Sequence, residues 1–244
     1  MKKIFFALAL AVVVTACHTN DNATLKEGQI IINASTRSEV ATTSTEGRFT
    51  LSEVPATEDL KVEITGNGTT HSWASLAEFN TAVAEGLTFA SAPHAITLSH
   101  GEKGVEGWSK PYFEGSATVE VPTYGLTVEA NIEAVLKNSI IAIETTELFD
   151  GYFPTSTFKI NGTKWDVSKQ ESLFMNEGEV TITCEAVRQT GTTTTLESKV
   201  TLKPTTRHTV VFDLSTAGNA KVSVTFDGEI TEVTEEEFEL NENA

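Results

Sequence analysis

The segment Phe158-Lys159-Ile160-Asn161-Gly162-Thr163-Lys164-Trp165 is written as a β-hairpin. Phe158 and Ile160 stand two residues apart, and Asn161-Gly162 supplies two positions that tolerate positive φ, the requirement of a tight two-residue turn. The same grammar runs outward in both directions. Val62/Ile64, Val119/Val121, Leu126/Val128/Ala130/Ile132, Leu196/Val200/Leu202 and Val222/Val224/Phe226 repeat the two-residue apolar rhythm. Asn67-Gly68, Glu177-Gly178, Thr190-Gly191, Gly218-Asn219 and Asp227-Gly228 punctuate it. Threonine is the commonest residue, 38 of 244, and its branched β-carbon suits a pleated surface. Strands with one dry face pack those faces together, so the pattern predicts an all-β chain of antiparallel sandwiches.

One stretch has a different period. In Ser72 to Glu85, Trp73, Leu76, Phe79 and Val83 recur at intervals of three, three and four, which predicts a short amphipathic helix capped by Ser72 or Ser75. Farther on, the alternation that begins at Leu126 changes phase around Val135-Leu136-Lys137-Asn138 and restarts at Ile140. That shift places a junction between a first sandwich of residues 28–134 and a second of 135–244, the latter ending in an acidic tail.

The N-terminus carries an address. Lys2-Lys3 precede the uncharged run Ile4 to Val14, and Val14-Thr15-Ala16 precede Cys17. This is the pattern of a lipoprotein signal peptide, residues 1–17, with Cys17 as the lipidated first residue of the mature chain. Eleven residues are too few for a helix crossing the bilayer core, which needs roughly 17 to 25. Residues 18–27 are polar and read as a flexible tether. The membrane is therefore a partner through the N-terminal lipid.

Charge removes one class of function. The formal charge is −17, and loss of Lys2 and Lys3 with the leader takes it to −19, so nucleic acid is not a partner. Much of the excess lies in Glu232, Glu235, Glu236, Glu237, Glu239 and Glu242. With Cys17 committed to lipid, Cys184 has no disulfide partner in the chain. Its place beside Val180, Ile182 and Ala186 on one strand face predicts a small buried residue.

Motifs for chemistry are missing. His18, His71, His94, His100 and His208 show no paired spacing for a transition metal, and with six Asp there is no calcium loop. The sequence also lacks a Gly-x-Ser-x-Gly elbow, a phosphate loop and a dinucleotide fingerprint. No cofactor, metal or catalytic residue is expected, and the chain reads as a non-enzyme. Trp73, Trp108, Tyr112, Phe113 and Trp165, with Tyr152, are the candidate ligand contacts, because aromatic faces stack on sugar rings where they are exposed together.

Trp108-Ser109-Lys110-Pro111-Tyr112-Phe113-Glu114-Gly115 with the following strand Ala117 to Val121 resembles a group of Bacteroidota lipoproteins of unknown function, domain of unknown function 4493, in which a W/F-x-x-P-Y-Y-x-G segment precedes such a strand. Gly28 to Ile32, Ser72 to Leu76, Ile96 to Gly101, Asn138 to Ile143, Phe149 to Phe153, Arg207 to Asp213 and Ala220 to Thr225 extend the likeness in order. Ala92-Pro93-His94-Ala95 departs from it, standing where the group has a glycine and an aromatic. The resemblance implies two tandem sandwiches of the transthyretin or fimbrillin-like kind on an outer-membrane lipoprotein, distantly similar to the subunits of surface fibres. It implies no catalytic residues. The function expected is surface adhesion or fimbria-like assembly with a protein partner; the alternative is a glycan-binding accessory lipoprotein of a carbohydrate uptake system. Both place the chain at the outer membrane, on the cell surface rather than the periplasmic face.

Overall fold

A computed structural model describes residues 26–42, 48–166, 172–214, 222–226 and 229–232. The signal peptide, Cys17, the tether up to residue 25, the turns at Gly218-Asn219 and Asp227-Gly228 and the acidic tail beyond Glu232 lie outside the described residues. In chain order the elements are β1 (Ile30–Thr36), β2 (Glu39–Thr42), β3 (Arg48–Thr50), β4 (Lys61–Gly66), β5 (Thr69–Trp73), α1 (Leu76–Ala84), β6 (Pro93–His100), β7 (Gly107–Trp108), β8 (Phe113–Glu120) and β9 (Val128–Leu136). There follow β10 (Ser139–Thr145), α2 (Glu147–Tyr152), β11 (Thr155–Ile160), β12 (Thr163–Lys164), β13 (Leu173–Met175), β14 (Gly178–Val187), β15 (Thr193–Leu202), β16 (Thr206–Leu214), β17 (Val222–Phe226) and β18 (Glu229–Glu232).

The strands form sheets of order β1-β9-β8-β6-β4-β5, β18-β17-β16-β10-β13-β7 and β12-β11-β14-β15. The chain is all-β, as its alternation predicts. Asn67-Gly68 and Asn161-Gly162 make the β4–β5 and β11–β12 turns with positive φ at all four residues. Most neighbours are antiparallel, but β1–β9, β10–β16 and β16–β2 are parallel. Parallel neighbours need long crossovers rather than hairpins, and local turn signals cannot announce them.

The first core lies between the inner face of the first sheet, α1 and one face of the second sheet. Ile30, Ile64, Ile96 and Leu98 meet Leu76 and Phe79, and Ile140 and Phe174 join them from β10 and β13. The second core uses the opposite face of β10 and β13. Ile141, Leu173 and Met175 pack with Val210 and Phe212 against Phe158, Ile182, Cys184 and Leu196 of the third sheet. The middle sheet thus feeds both cores, and Ser139-Ile140-Ile141 and Leu173-Phe174-Met175 are buried on consecutive positions. A strand covered on both faces is a continuous apolar run, which explains the change of phase at residues 135–143. Each large side chain so buried contributes about 1.5–3 kcal/mol.

Hydrogen bonding crosses the line between residues 134 and 135. From the N-terminal side of it, β2 pairs with β16 and β7 pairs with β13, both strands of the second sheet. The helix also differs from its sequence reading. Ser72 and Trp73 belong to β5, and α1 starts after Ser75, whose Oγ accepts the Glu78 N–H at 3.1 Å while the Glu78 carboxylate accepts the Ala74 N–H at 3.1 Å. This reciprocal cap sets the start. Trp73 reaches Phe79 from the sheet instead, edge to face at 5.0 Å between centroids. A second helix, α2, has Thr146 as its cap and buries Phe149.

Candidate functional site

The loop from His100 to Phe113 joins the two cores. It turns back on itself at Gly101, where φ is +82° and a β-carbon would stand 2.2 Å from the Pro111 carbonyl oxygen, so only glycine fits. Trp108 then stands in the second sheet. It lies opposite Leu173 across β7 and β13, and the Ser109 N–H donates to the Ser172 carbonyl at 3.1 Å. Five residues after Trp108, Phe113 is fully buried in the first core, whereas Trp108 packs on the second. The Trp-Ser-Lys-Pro-Tyr-Phe segment is thus a strap whose two ends are held in different cores.

Asn138 fixes the middle of the strap. Its side-chain oxygen accepts the Tyr112 N–H at 3.1 Å, and its amide nitrogen donates to the Lys110 carbonyl at 2.9 Å. The neighbouring backbone is tied too, because Lys137 N–H donates to the Tyr112 carbonyl and Thr205 N–H to the Asn138 carbonyl. Ser139 Oγ donates to the Lys203 carbonyl at 2.6 Å, and Thr205 Oγ1 donates to the Leu136 carbonyl at 2.7 Å.

Beside this junction lies a shallow cleft of about 410 Å³ lined by Lys103, Tyr112, Lys137, Asn138, Asn176 and Pro204 among others. The Tyr112 hydroxyl donates to the Glu114 carboxylate, and Lys103 Nζ stands 3.6 Å from the same group. Burial first, and then Glu114, pushes the Tyr112 hydroxyl far above the usual phenol range. The hydrogen bond from Tyr112, followed by the charges of Lys103 and Lys137, holds Glu114 below the ordinary carboxylate range. These shifts lock the pair in its hydroxyl and carboxylate forms. The cleft offers a polar ligand the cations of Lys103 and Lys137, the amides of Asn138 and Asn176 and the carboxylate of Glu177.

The predicted aromatic contacts are dispersed. Phe113 is fully buried in the first core and presents no face for stacking, a correction to its place among the contacts, whereas Tyr112, 8% exposed, borders the cleft with its hydroxyl bound to Glu114. Trp73 is half-buried among His71, Phe79 and Phe89. Only Trp108 and Trp165 of the five meet as a pair, at 4.8 Å and 53°, and both pack on the second core. Tyr152 packs on the same core beneath the Arg188 guanidinium. Sequence reading did not single out the Lys103, Lys137 and Glu114 cluster, since its members come from separate segments. A polar Asn138 just ahead of the apolar run Ile140 to Ile143 was the signal that could have found the junction.

Among the described residues no three His, Cys, Asp or Glu converge as a metal site. The His94 ring nitrogen Nε2 bonds the Ala90 carbonyl at 2.9 Å, and His208 Nε2 accepts the Lys203 N–H at 2.9 Å. Cys184 is buried, and desolvation pushes its thiol up to about 12.

A second surface is the edge of the third sheet. β15 pairs along its ten residues, Thr193 to Leu202, with β14, and among the described residues its other side has no strand partner. Its burial alternates from Leu196 onward, with Leu196, Ser198, Val200 and Leu202 inward, and the strand contains neither proline nor glycine.

These features define a layered all-β protein whose two cores share a middle sheet. The chain belongs to the family described as domain of unknown function (DUF4493), which matches residues 26–242. Among solved structures, it is similar to a candidate adhesin from Bacteroides ovatus at 8% identity and a TM-score of 0.43, over 85% of this chain and 95% of that one. A candidate cell adhesion protein from Bacteroides thetaiotaomicron is 11% identical over 76% and 91% of the two chains, with a TM-score of 0.37. Candidate polysaccharide binding proteins from the same species give 7% identity, 73% and 91% coverage and a TM-score of 0.39. No curated protein matches the chain.

Proposed function

We propose that the chain is a non-enzymatic cell-envelope lipoprotein, held to the outer membrane through lipid on Cys17, that works in surface adhesion or fimbria-like assembly. The observation that carries this reading is the uninterrupted ten-residue edge of β15. An unpaired row of backbone donors and acceptors is a template for a strand from another chain, and natural edges where pairing is unwanted are shortened, bulged, broken by proline or charged. The charges of β15, Glu197 and Lys199, leave Thr193 to Leu196 uncharged. The first sheet supplies a second such place. β1 is its terminal strand, and Ile30 and Ile32 fill the first core, so removal of β1 uncovers β9 and an apolar groove.

The test weighs the lipid-free mature chain in solution by sedimentation, before and after proteolytic removal of residues 18–36. Concentration-dependent oligomers in either state are expected. A strictly monomeric species in both counts against assembly.

A further inference from the structure

The register of the first sheet gives it two distinct ends. Leu136 lies beside Phe113 at one end, where the junction with the second sheet is formed. Ile30 beside Val128, Pro93 beside Glu120 and Gly66 beside His94 mark the other. At nine residues, β9 separates the two ends by on the order of 30 Å. The chain enters at the end remote from the junction, where Lys26 bridges to Tyr124 and Gly28 exchanges hydrogen bonds with Phe89.

At that end the loop Thr123-Tyr124-Gly125-Leu126 carries the most exposed large apolar side chains among the described residues, Tyr124 at 79% and Leu126 at 59%. Gly125 has φ +70°, and a β-carbon there would lie 2.9 Å from the Glu27 carbonyl oxygen, so the loop is seated against the entering chain. Cys17 precedes Lys26 by nine positions. Fully extended, that span reaches at most about 30 Å, so this loop is the part of the fold held nearest to the anchor.

We infer that Tyr124 and Leu126 form a contact with the bilayer surface, seating the first sheet on the membrane and directing the second and third sheets away from it. The occupant is a lipid surface because the tether holds this end within about 30 Å of it. A tyrosine, with its apolar ring and polar hydroxyl, also suits the interface between acyl chains and water. A formal charge of −17, more negative still without the leader, favours zwitterionic over anionic lipid. This inference rests on the anchored reading above, and its test is arranged to separate the two.

A hexahistidine tag before residue 18 replaces the lipid, tethering the mature chain to phosphatidylcholine vesicles that contain a nickel-chelating lipid. A fluorophore is placed on Thr123→Cys or, as control, on Thr190→Cys; Cys184 is buried and stays unlabelled. Spin-labelled lipid is expected to quench the probe at 123 several-fold more than at 190, and the double variant Tyr124→Ser, Leu126→Ser to abolish the difference. Equal quenching at both positions overturns the inference whether or not Cys17 is acylated. Fatty-acid labelling of wild type and Cys17→Ala in cells tests the anchor separately. Should the tag-free chain form dimers that the double variant dissolves, the loop serves a second copy of the chain, and the lipid contact is likewise overturned.

Discussion

Asn138 holds Tyr112 across 26 residues of sequence, accepting its backbone N–H at 3.1 Å from a position that is 3% exposed. The same side chain also donates to the Lys110 carbonyl, so both hydrogen-bonding groups of the amide serve the strap between the cores. Replacement by alanine leaves the buried Tyr112 N–H without its partner, while the Lys110 carbonyl, on an exposed residue, can turn to water. A buried group so orphaned costs about 1–3 kcal/mol. Asn138→Ala is therefore expected to lower the stability found by urea unfolding by about 1–3 kcal/mol. An unchanged midpoint and slope would show that the strap is held by other means.

Stability should fall on the alkaline side. Cys184 is pushed up to about 12 by burial, and Tyr112 is raised by burial and by Glu114. Both are neutral acids that the native state keeps protonated while the unfolded chain ionises, near 8.5 for a thiol and about 10 for a phenol. The native state then binds more protons, and linkage makes stability decline as pH rises above about 9. Glu114 acts in the opposite direction, since its lowered value contributes stability that is lost as pH falls through the acid range. Thermal unfolding of wild type and Cys184→Ala between pH 7 and 11 checks the alkaline arm: the variant should show the shallower decline. A common slope would remove Cys184 from the account.

The thiol gives a second reading of the same burial. At pH 8 a disulfide-exchange reagent should leave Cys184 of the lipid-free chain untouched and react fully in urea, because the attacking species is the thiolate and its site is closed. Fast labelling of the folded chain would mean that the third sheet opens readily.

Local features of the fold were legible because local chemistry determines them. Asn67-Gly68 and Asn161-Gly162 need no distant partner to turn the chain, and Leu76 with Phe79 marks one helix face in any context. Trp73 fits the helical spacing and yet is in β5, since a residue at a sheet edge can meet the same Phe79 that a helical neighbour would. Ile140 and Ile141 reveal a change of period, but which core receives each depends on β13 and β16, far along the chain. The cleft was not legible at all: Lys103, Lys137 and Asn176 stand far apart in sequence and meet only in the folded chain.

Trp73→Ala and Trp108→Ala are expected to act through packing. Trp73 meets Phe79 at 5.0 Å and Trp108 meets Trp165 at 4.8 Å, each against a core. Loss of a well-packed indole costs about 3–5 kcal/mol when fully buried, and about half that is expected at these half-buried positions. Calorimetry should show both variants melting well below the wild type. A variant that melts normally but loses binding on a glycan array would instead make its tryptophan a sugar contact.

The free edge of β15 provides the sharpest test of assembly. Thr193 and Thr195 are exposed on its N-terminal half, away from the ion pair that Lys199 makes with Glu179 at 3.1 Å. Lysine at an edge hinders the approach of another strand, because pairing would bury or crowd the charge. Neither threonine belongs to the second core, so Thr193→Lys, Thr195→Lys is expected to change stability by no more than about 0.5 kcal/mol per site. The double variant should nevertheless abolish the oligomers of the trimmed or untrimmed chain in sedimentation. If oligomers persist unchanged while trimming through residue 36 controls their formation, the groove left by β1 is the pairing site, and β15 is an ordinary edge.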